Sequence, residues 1–186
     1  DAPLNRQKEN HSMQNPADAV EYFRMYPQLF TFWCVIVFVF GCCIGSFLNV
    51  CIWRVPRGMS VVSPPSHCPK CGHEITPLEN IPLLSWIFLR GRCRSCREPI
   101  AIRYFLVELV TGLLFALIFL KTAASGEPLT LLIPCFIMTA ILICSAFTDC
   151  ELGIIPDEFT YLGMTGGILS ALLFPSAWHL ESRITA

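Results

Sequence analysis

The chain has 186 residues, with 13 Lys and Arg against 14 Asp and Glu for a net charge of −1, and it is 54% hydrophobic with only 15% charged residues. Ordinary soluble domains carry roughly 25% charged residues, so this composition argues against a soluble globular protein and makes a membrane the leading solvent. A near-neutral charge balance also gives no case for nucleic acid, which is met by a clearly basic face.

Residues 1–26 mix Asn, Gln, Pro and both charge signs and read as an extramembrane arm, with an interfacial helix around Ala17 to Met25. A polar or mixed stretch of this length before the first apolar run does not match a signal peptide, so no removal is expected. Residues 27–53 form the first span, since Pro27 to Trp53 holds no charged side chain and exceeds the roughly 20 residues needed to cross a bilayer. Residues 54–102 read as an extramembrane loop domain. Residues 103–186 hold three more apolar runs: Tyr104 to Leu120, broken only by Glu108, then Pro128 to Thr148, then Phe159 to Leu180. Long apolar runs without alternation favour helices over barrel strands. The expected fold class is therefore membrane all-α, a polytopic helical bundle of about four transmembrane helices with an insertion between helices one and two.

Counting Lys and Arg orients the chain. The arm holds three, the long loop holds eight from Arg54 to Arg103, and the later outer loops hold Lys121 and Arg183. The long loop is expected on the cytoplasmic side, which places the segment Asp149 to Glu158 on the same face.

The loop carries Cys68-Pro-Lys-Cys71 and Cys93-Arg-Ser-Cys96, two C-x2-C knuckles 21 residues apart, close to the spacing of four-cysteine zinc ribbons. Structural zinc on Cys68, Cys71, Cys93 and Cys96 is the reading preferred over two disulfides, because a cytoplasmic face is reducing, and the metal would supply much of the loop's folding free energy. His67 and His73 flank the first knuckle, but four cysteines already close a tetrahedron. The other seven cysteines lie in or beside spans, where cysteine behaves as a small apolar residue.

In helix one, Gly41-x3-Gly45-Ser46 sets small residues one turn apart, which permits close approach by another helix. Asn49, Arg54 and Arg57 follow at its end. Glu108, about one turn inside helix two, is costly in hydrocarbon unless it faces a partner or a polar cavity; pairing with Arg103 or Arg54 and membership of a polar site are both open. Asp149, Glu151, Asp157 and Glu158 gather where helix three leaves the membrane. A solvated acidic turn, a hard-cation site and half of an aspartic-protease site are the alternatives there; at the membrane boundary, desolvation would raise a carboxyl pKa and suit the last of these.

These residues resemble the type IV prepilin peptidases, also called leader peptidases with N-methyltransferase activity. The run Gly41 to Pro56, with Gly45, Ser46, Asn49 and Arg54, is similar to their first-helix signature. Cys68-Pro-x-Cys71-Gly72, Asn80-Ile-Pro82-x-x-Ser85-Trp86, Gly91-x-Cys93-x-x-Cys96 and Arg103-Tyr104-x-x-x-Glu108 resemble their zinc loop and the start of helix two, and Asp149-x6-Pro156-Asp157 resembles their first aspartate motif. The resemblance implies a bacterial inner-membrane aspartic endopeptidase that cleaves the basic leader from prepilins and pseudopilins at the cytoplasmic face and methylates the new N-terminus with S-adenosylmethionine. The substrate's apolar helix would lie in lipid beside the enzyme, in a type IV pilus or type II secretion system. It makes Asp149 the catalytic position and gives Glu108, Glu151, Asp157, Asn49 and Arg54 supporting or substrate-binding roles.

The family's second aspartate lies in a later G-x-G-D-x-K motif that does not occur here. The sequence therefore reads as the N-terminal portion of a longer peptidase, inactive alone, since an aspartic mechanism needs two carboxyls at one water. The alternative is a non-catalytic zinc-ribbon membrane scaffold; a transporter is a weaker third, for lack of an internal repeat.

Overall fold

The computed structural model describes residues 26–125 and 127–174. The arm before Tyr26, with its expected interfacial helix, and the chain beyond Phe174 lie outside the described residues.

Helix α1 spans Pro27–Arg54. Proline starts it without loss, because the first N–H of a helix has no partner in any case. Its 28 residues rise about 42 Å, more than the roughly 30 Å hydrocarbon core. A single 3-10 turn, Val55–Arg57, tightens the end, and Gly58 in the left-handed region (φ +63°) donates its N–H to the Val55 carbonyl at 3.0 Å to close it. The loop that follows holds a second 3-10 turn, Pro77–Asn80, and a short helix α2, Leu84–Phe88. Helix α3, Ile102–Ser125, then returns along α1. Helix α4, Leu132–Leu152, entered through a 3-10 turn at Leu129–Leu131, packs on both, and α5, Asp157–Leu173, packs on α4.

The contact between α1 and α3 is backbone against backbone. A Cβ added to Gly41 would lie 2.8 Å from the Gly112 Cα, and one added to Gly45 would lie 2.7 Å from the Glu108 Cα. One turn further, the Asn49 side-chain amide donates to the Tyr104 carbonyl at 3.0 Å. Four residues forward on α1 are thus four residues back on α3, the register of an antiparallel pair locked at each turn by a residue without a bulky side chain. Beyond it, Leu48, Ile52, Val107, Ile143, Cys144 and Phe159 make the buried core where α1, α3, α4 and α5 meet, and Phe115 stacks on Phe136 at 4.1 Å to seat α4 on α3. The remaining faces are apolar and open outward, as in Phe47 and Leu142.

Three helical segments, Pro27–Arg57, Ile102–Ser125 and Leu129–Leu152, are long and apolar enough to cross a membrane. The expected fourth span is helical from Asp157 to Leu173, 17 residues, a rise of about 26 Å; the rest of its apolar run, to Leu180, lies outside the described residues. The acidic segment also departs from the expected loop. Helix α4 continues through Leu152, so Asp149 and Glu151 occupy its last turn. Gly153 (φ +66°) stops it, donating its N–H to the Asp149 carbonyl at 2.8 Å. Asp157 and Glu158 begin the next helix, where acidic groups complement the helix dipole.

Gly45→Ala is expected to destabilise the protein by about 1–3 kcal/mol, because its methyl group would press on the α3 backbone at Glu108 and Val107 and on the buried Thr111 hydroxyl. Gly163→Ala, whose added Cβ meets nothing nearer than 3.7 Å, should leave stability unchanged. Unfolding midpoints of both variants in one detergent check the contrast.

Candidate functional site

The two knuckles fold alike. In the first, the Cys68 N–H donates to the His73 carbonyl at 2.9 Å and the Gly72 N–H to the Cys68 carbonyl at 2.9 Å; in the second, Cys93 donates to Glu98 at 2.8 Å and Arg97 to Cys93 at 3.0 Å. The residue after the second cysteine of each has positive φ, +72° at Gly72 and +65° at Arg97. This backbone aims both cysteines of a knuckle at one point. The four sulfurs of Cys68, Cys71, Cys93 and Cys96 lie within 4.8 Å of one another, with Cys68 to Cys96 at 3.8 Å and Cys71 to Cys93 at 4.0 Å. A tetrahedral zinc with bonds of about 2.3 Å sets its sulfurs about 3.8 Å apart, so the donor set fits that ion. All eleven cysteines are free thiols, so the knuckles hold no disulfide.

The N–H groups of Cys71 and Lys70 lower the Cys68 thiol to about 6. Cys96 is pushed up to about 12: the Glu98 N–H lowers it, but desolvation and the three neighbouring sulfurs outweigh that bond. The Cys68 thiolate thus forms readily while Cys96 holds its proton until a cation replaces it. His73 is engaged elsewhere, 3.1 Å from the Glu79 carboxylate. The Thr76 N–H, with help from His73 and the Thr76 hydroxyl, holds that carboxylate down at about 2.

Between the knuckles the loop turns back onto the bundle. Gly91 (φ +63°) lies flat against the Trp86 indole, leaving 2.8 Å to the ring for any Cβ, and Trp86 meets Phe105 of α3 with ring centres 5.2 Å apart. Leu83, at φ +61°, directs its N–H to the buried Glu108 carboxylate at 2.7 Å, and Ser46 of α1 is a second hydrogen-bond partner of that carboxylate. Glu108 is therefore tied to the loop backbone and to α1, while both of its anticipated cationic partners are engaged elsewhere. Arg54 is buried and spends its guanidinium on the carbonyls of Ser60, 2.9 Å, and Pro64, 2.7 Å. Arg103 pairs with Glu151 at 2.7 Å. Asn49 is 2% exposed, and while its amide nitrogen is bonded its Oδ1 has no partner.

The Arg103–Glu151 pair brings the end of α4 to the start of α3, so the acidic residues and the cysteine loop share one end of the bundle. Two acidic residues in a helix's last turn oppose its dipole; the pairing of Glu151 offsets this. Asp149, one turn before the Gly153 cap, is exposed and its carboxylate makes no hydrogen bond or ion pair among the described residues. Among those residues the four cysteines are the one cluster positioned to hold a metal; Asp149, Glu151 and Asp157 form no such group. The link from Leu83 to Glu108 had no sequence signal, because nothing local marks a leucine for positive φ.

These features define a helical membrane protein in which a four-cysteine loop is hydrogen-bonded into the spanning bundle beside a cluster of acidic helix ends. Residues 39–122 match the family described as Bacterial Peptidase A24 N-terminal domain. The chain is 49% identical over 141 residues to a prepilin leader peptidase/N-methyltransferase of Myxococcus xanthus (76% of this chain, 40% of that protein). It is 40% identical over 162 residues to that of Aeromonas hydrophila (74% and 54%) and 37% identical over 163 residues to that of Klebsiella pneumoniae (84% and 68%). The chain belongs to the prepilin leader peptidase/N-methyltransferase family. It spans 40% and 54% of the length of the first two of these relatives. No solved structure matches it.

Glu108→Ala leaves the Leu83 N–H without its acceptor, a loss of about 1–3 kcal/mol, and is expected to speed amide exchange across residues 81–89. Glu108→Gln keeps an acceptor oxygen and should retain most of the protection. Hydrogen-exchange mass spectrometry of the two variants checks the difference.

Proposed function

We propose that this chain is the zinc-loop and first-aspartate portion of a bacterial inner-membrane aspartic endopeptidase. It removes the leader from type IV prepilins or pseudopilins at the cytoplasmic face and supports N-methylation of the new terminus. The observation that carries this reading is Asp149: an unpaired carboxylate on a helix end that is fixed two residues on, where Glu151 is ion-paired to Arg103 of the helix that also carries Glu108. In this role Asp149 polarises the water that attacks the scissile carbonyl, and a second carboxyl, from sequence outside these 186 residues, shares the proton and returns it to the leaving amine. Glu151, Asp157 and Glu158 offer a basic leader an acidic mouth, and the substrate's apolar helix stays in lipid. Arg54 holds the start of the loop through its two carbonyl contacts.

The Cys68, Cys71, Cys93 and Cys96 set is a structural zinc site in this reading, closed by four thiolates with no open position for chemistry. S-adenosylmethionine supplies a methyl group from a cationic sulfonium. Glu108 and the unpaired Oδ1 of Asn49 are the buried acceptors that would receive its positively charged and N–H groups.

In cells producing a prepilin and the enzyme that contains this chain, Asp149→Asn is expected to cut cleavage by about 10²–10⁴-fold, seen as prepilin retaining its leader on a gel. Processing at the normal rate would refute the role of Asp149. Metal analysis of reduced protein is expected to find one zinc per chain, falling sharply in Cys71→Ser together with protection of the loop from protease. A zinc content well under one per chain in the parent protein would refute the metal site.

A further inference from the structure

The loop between the knuckles exposes more apolar surface than a solvated segment tolerates. Leu78 is 77% exposed and Phe88 80%, and Leu84 and Ile87 are half exposed beside them. Arg90 and Arg92 follow directly, both exposed and without an ion-pair partner among the described residues.

The position of this patch along the bundle follows from its contacts. Helix α3 has 24 residues, about 36 Å against a core of about 30 Å, so each end projects about 3 Å if the helix is centred. Glu108 lies six residues from Ile102, about 9 Å along the axis, and so sits about 6 Å inside the hydrocarbon boundary. Leu83 donates its backbone N–H to that carboxylate at 2.7 Å, and Trp86 packs on Phe105. The segment that begins at Leu83 is therefore held at the depth of the headgroups and upper acyl chains, continuous with the outward apolar face of α3.

We infer that residues 78–92 form a membrane-interface element, with Leu84, Ile87 and Phe88 seated among acyl chains and Arg90 and Arg92 on lipid phosphates. An apolar face followed by exposed arginines is the pattern that binds an anionic bilayer surface. Lipid is the occupant because the patch continues the lipid-facing surface of a spanning helix. This inference rests on α1, α3 and α4 crossing the bilayer and not on the catalytic reading, so inactivity of an Asp149 variant leaves it intact.

The test places the photocrosslinking residue p-benzoylphenylalanine at Leu84, at Phe88 and, as a control on the exposed second knuckle, at Ser95, in protein reconstituted into phosphatidylglycerol-containing nanodiscs. Several-fold more lipid adduct at 84 and 88 than at 95, read by peptide mass, is the expected result. Equal yields at the three positions, or adducts to protein in place of lipid, would overturn it. A readout on the unmodified protein guards against misfolding of the variants: hydroxyl-radical labelling of Phe88 should be protected, relative to the unfolded chain, as strongly as that of Phe47 on α1. Labelling of Phe88 at the unfolded rate would also overturn the inference.

Discussion

The contact on which the rest of the molecule depends is the one that α1 and α3 make through their backbones. Gly41, Gly45 and Gly112 let the two helices approach until Cα meets Cα, and dispersion over that length replaces the hydrophobic drive that lipid cannot supply between apolar helices. The glycine at 45 faces Glu108 itself, so the same close approach that joins the helices sets the height and direction of the buried carboxylate. Ser46 follows Gly45 and reaches that carboxylate; Asn49, one turn on, reaches the Tyr104 carbonyl. A wider separation would leave these polar groups in a gap rather than on each other.

From that carboxylate the order propagates outward. Glu108 captures the Leu83 N–H, which fixes the middle of the loop against the bundle while the two knuckles gather its ends. The loop is thereby tied to the membrane part of the protein through a buried hydrogen bond and an aromatic contact as well as through the chain itself. On the other side of α3, the salt bridge from Arg103 to Glu151 joins the start of that helix to the end of α4. Arg103 is mostly shielded and its Nε lacks a partner, so the pair sits in a less screened setting than an open surface bridge. One helix thus touches the cysteine loop, the first helix and the acidic helix end within its first two turns.

Much of this was readable from residue order. Apolar runs of spanning length showed where α1, α3 and α4 run, because hydrocarbon admits little else, and the C-x2-C spacing of Cys68 to Cys71 and Cys93 to Cys96 pointed to sulfurs that meet. The small residues at Gly41 and Gly45 marked the close helix contact. Two kinds of feature were not readable. Helix ends depend on caps more than on composition: the acidic stretch from Asp149 to Glu158 looked like a single turn, but Gly153 in a left-handed conformation divides it between two helices. Long-range partners depend on the fold: Arg54 and Arg103 were the cations expected for Glu108, and both are drawn away, Arg54 by the Ser60 and Pro64 carbonyls of the loop that follows its helix and Arg103 by Glu151. Besides Ser46, its partner is the backbone N–H of a leucine at positive φ, and side-chain chemistry says nothing about that.

The knuckles separate two properties that are often entangled. Their shape is held by amide-to-carbonyl bonds that any residue can make, Cys68 with His73 and Cys93 with Glu98, while their outward positions, Pro69, Lys70, Arg94 and Ser95, are exposed and bear little on where the sulfurs point. The charge carried by this surface is therefore free to drift in sign and density from one descendant of the chain to another while the sulfur cage keeps its form.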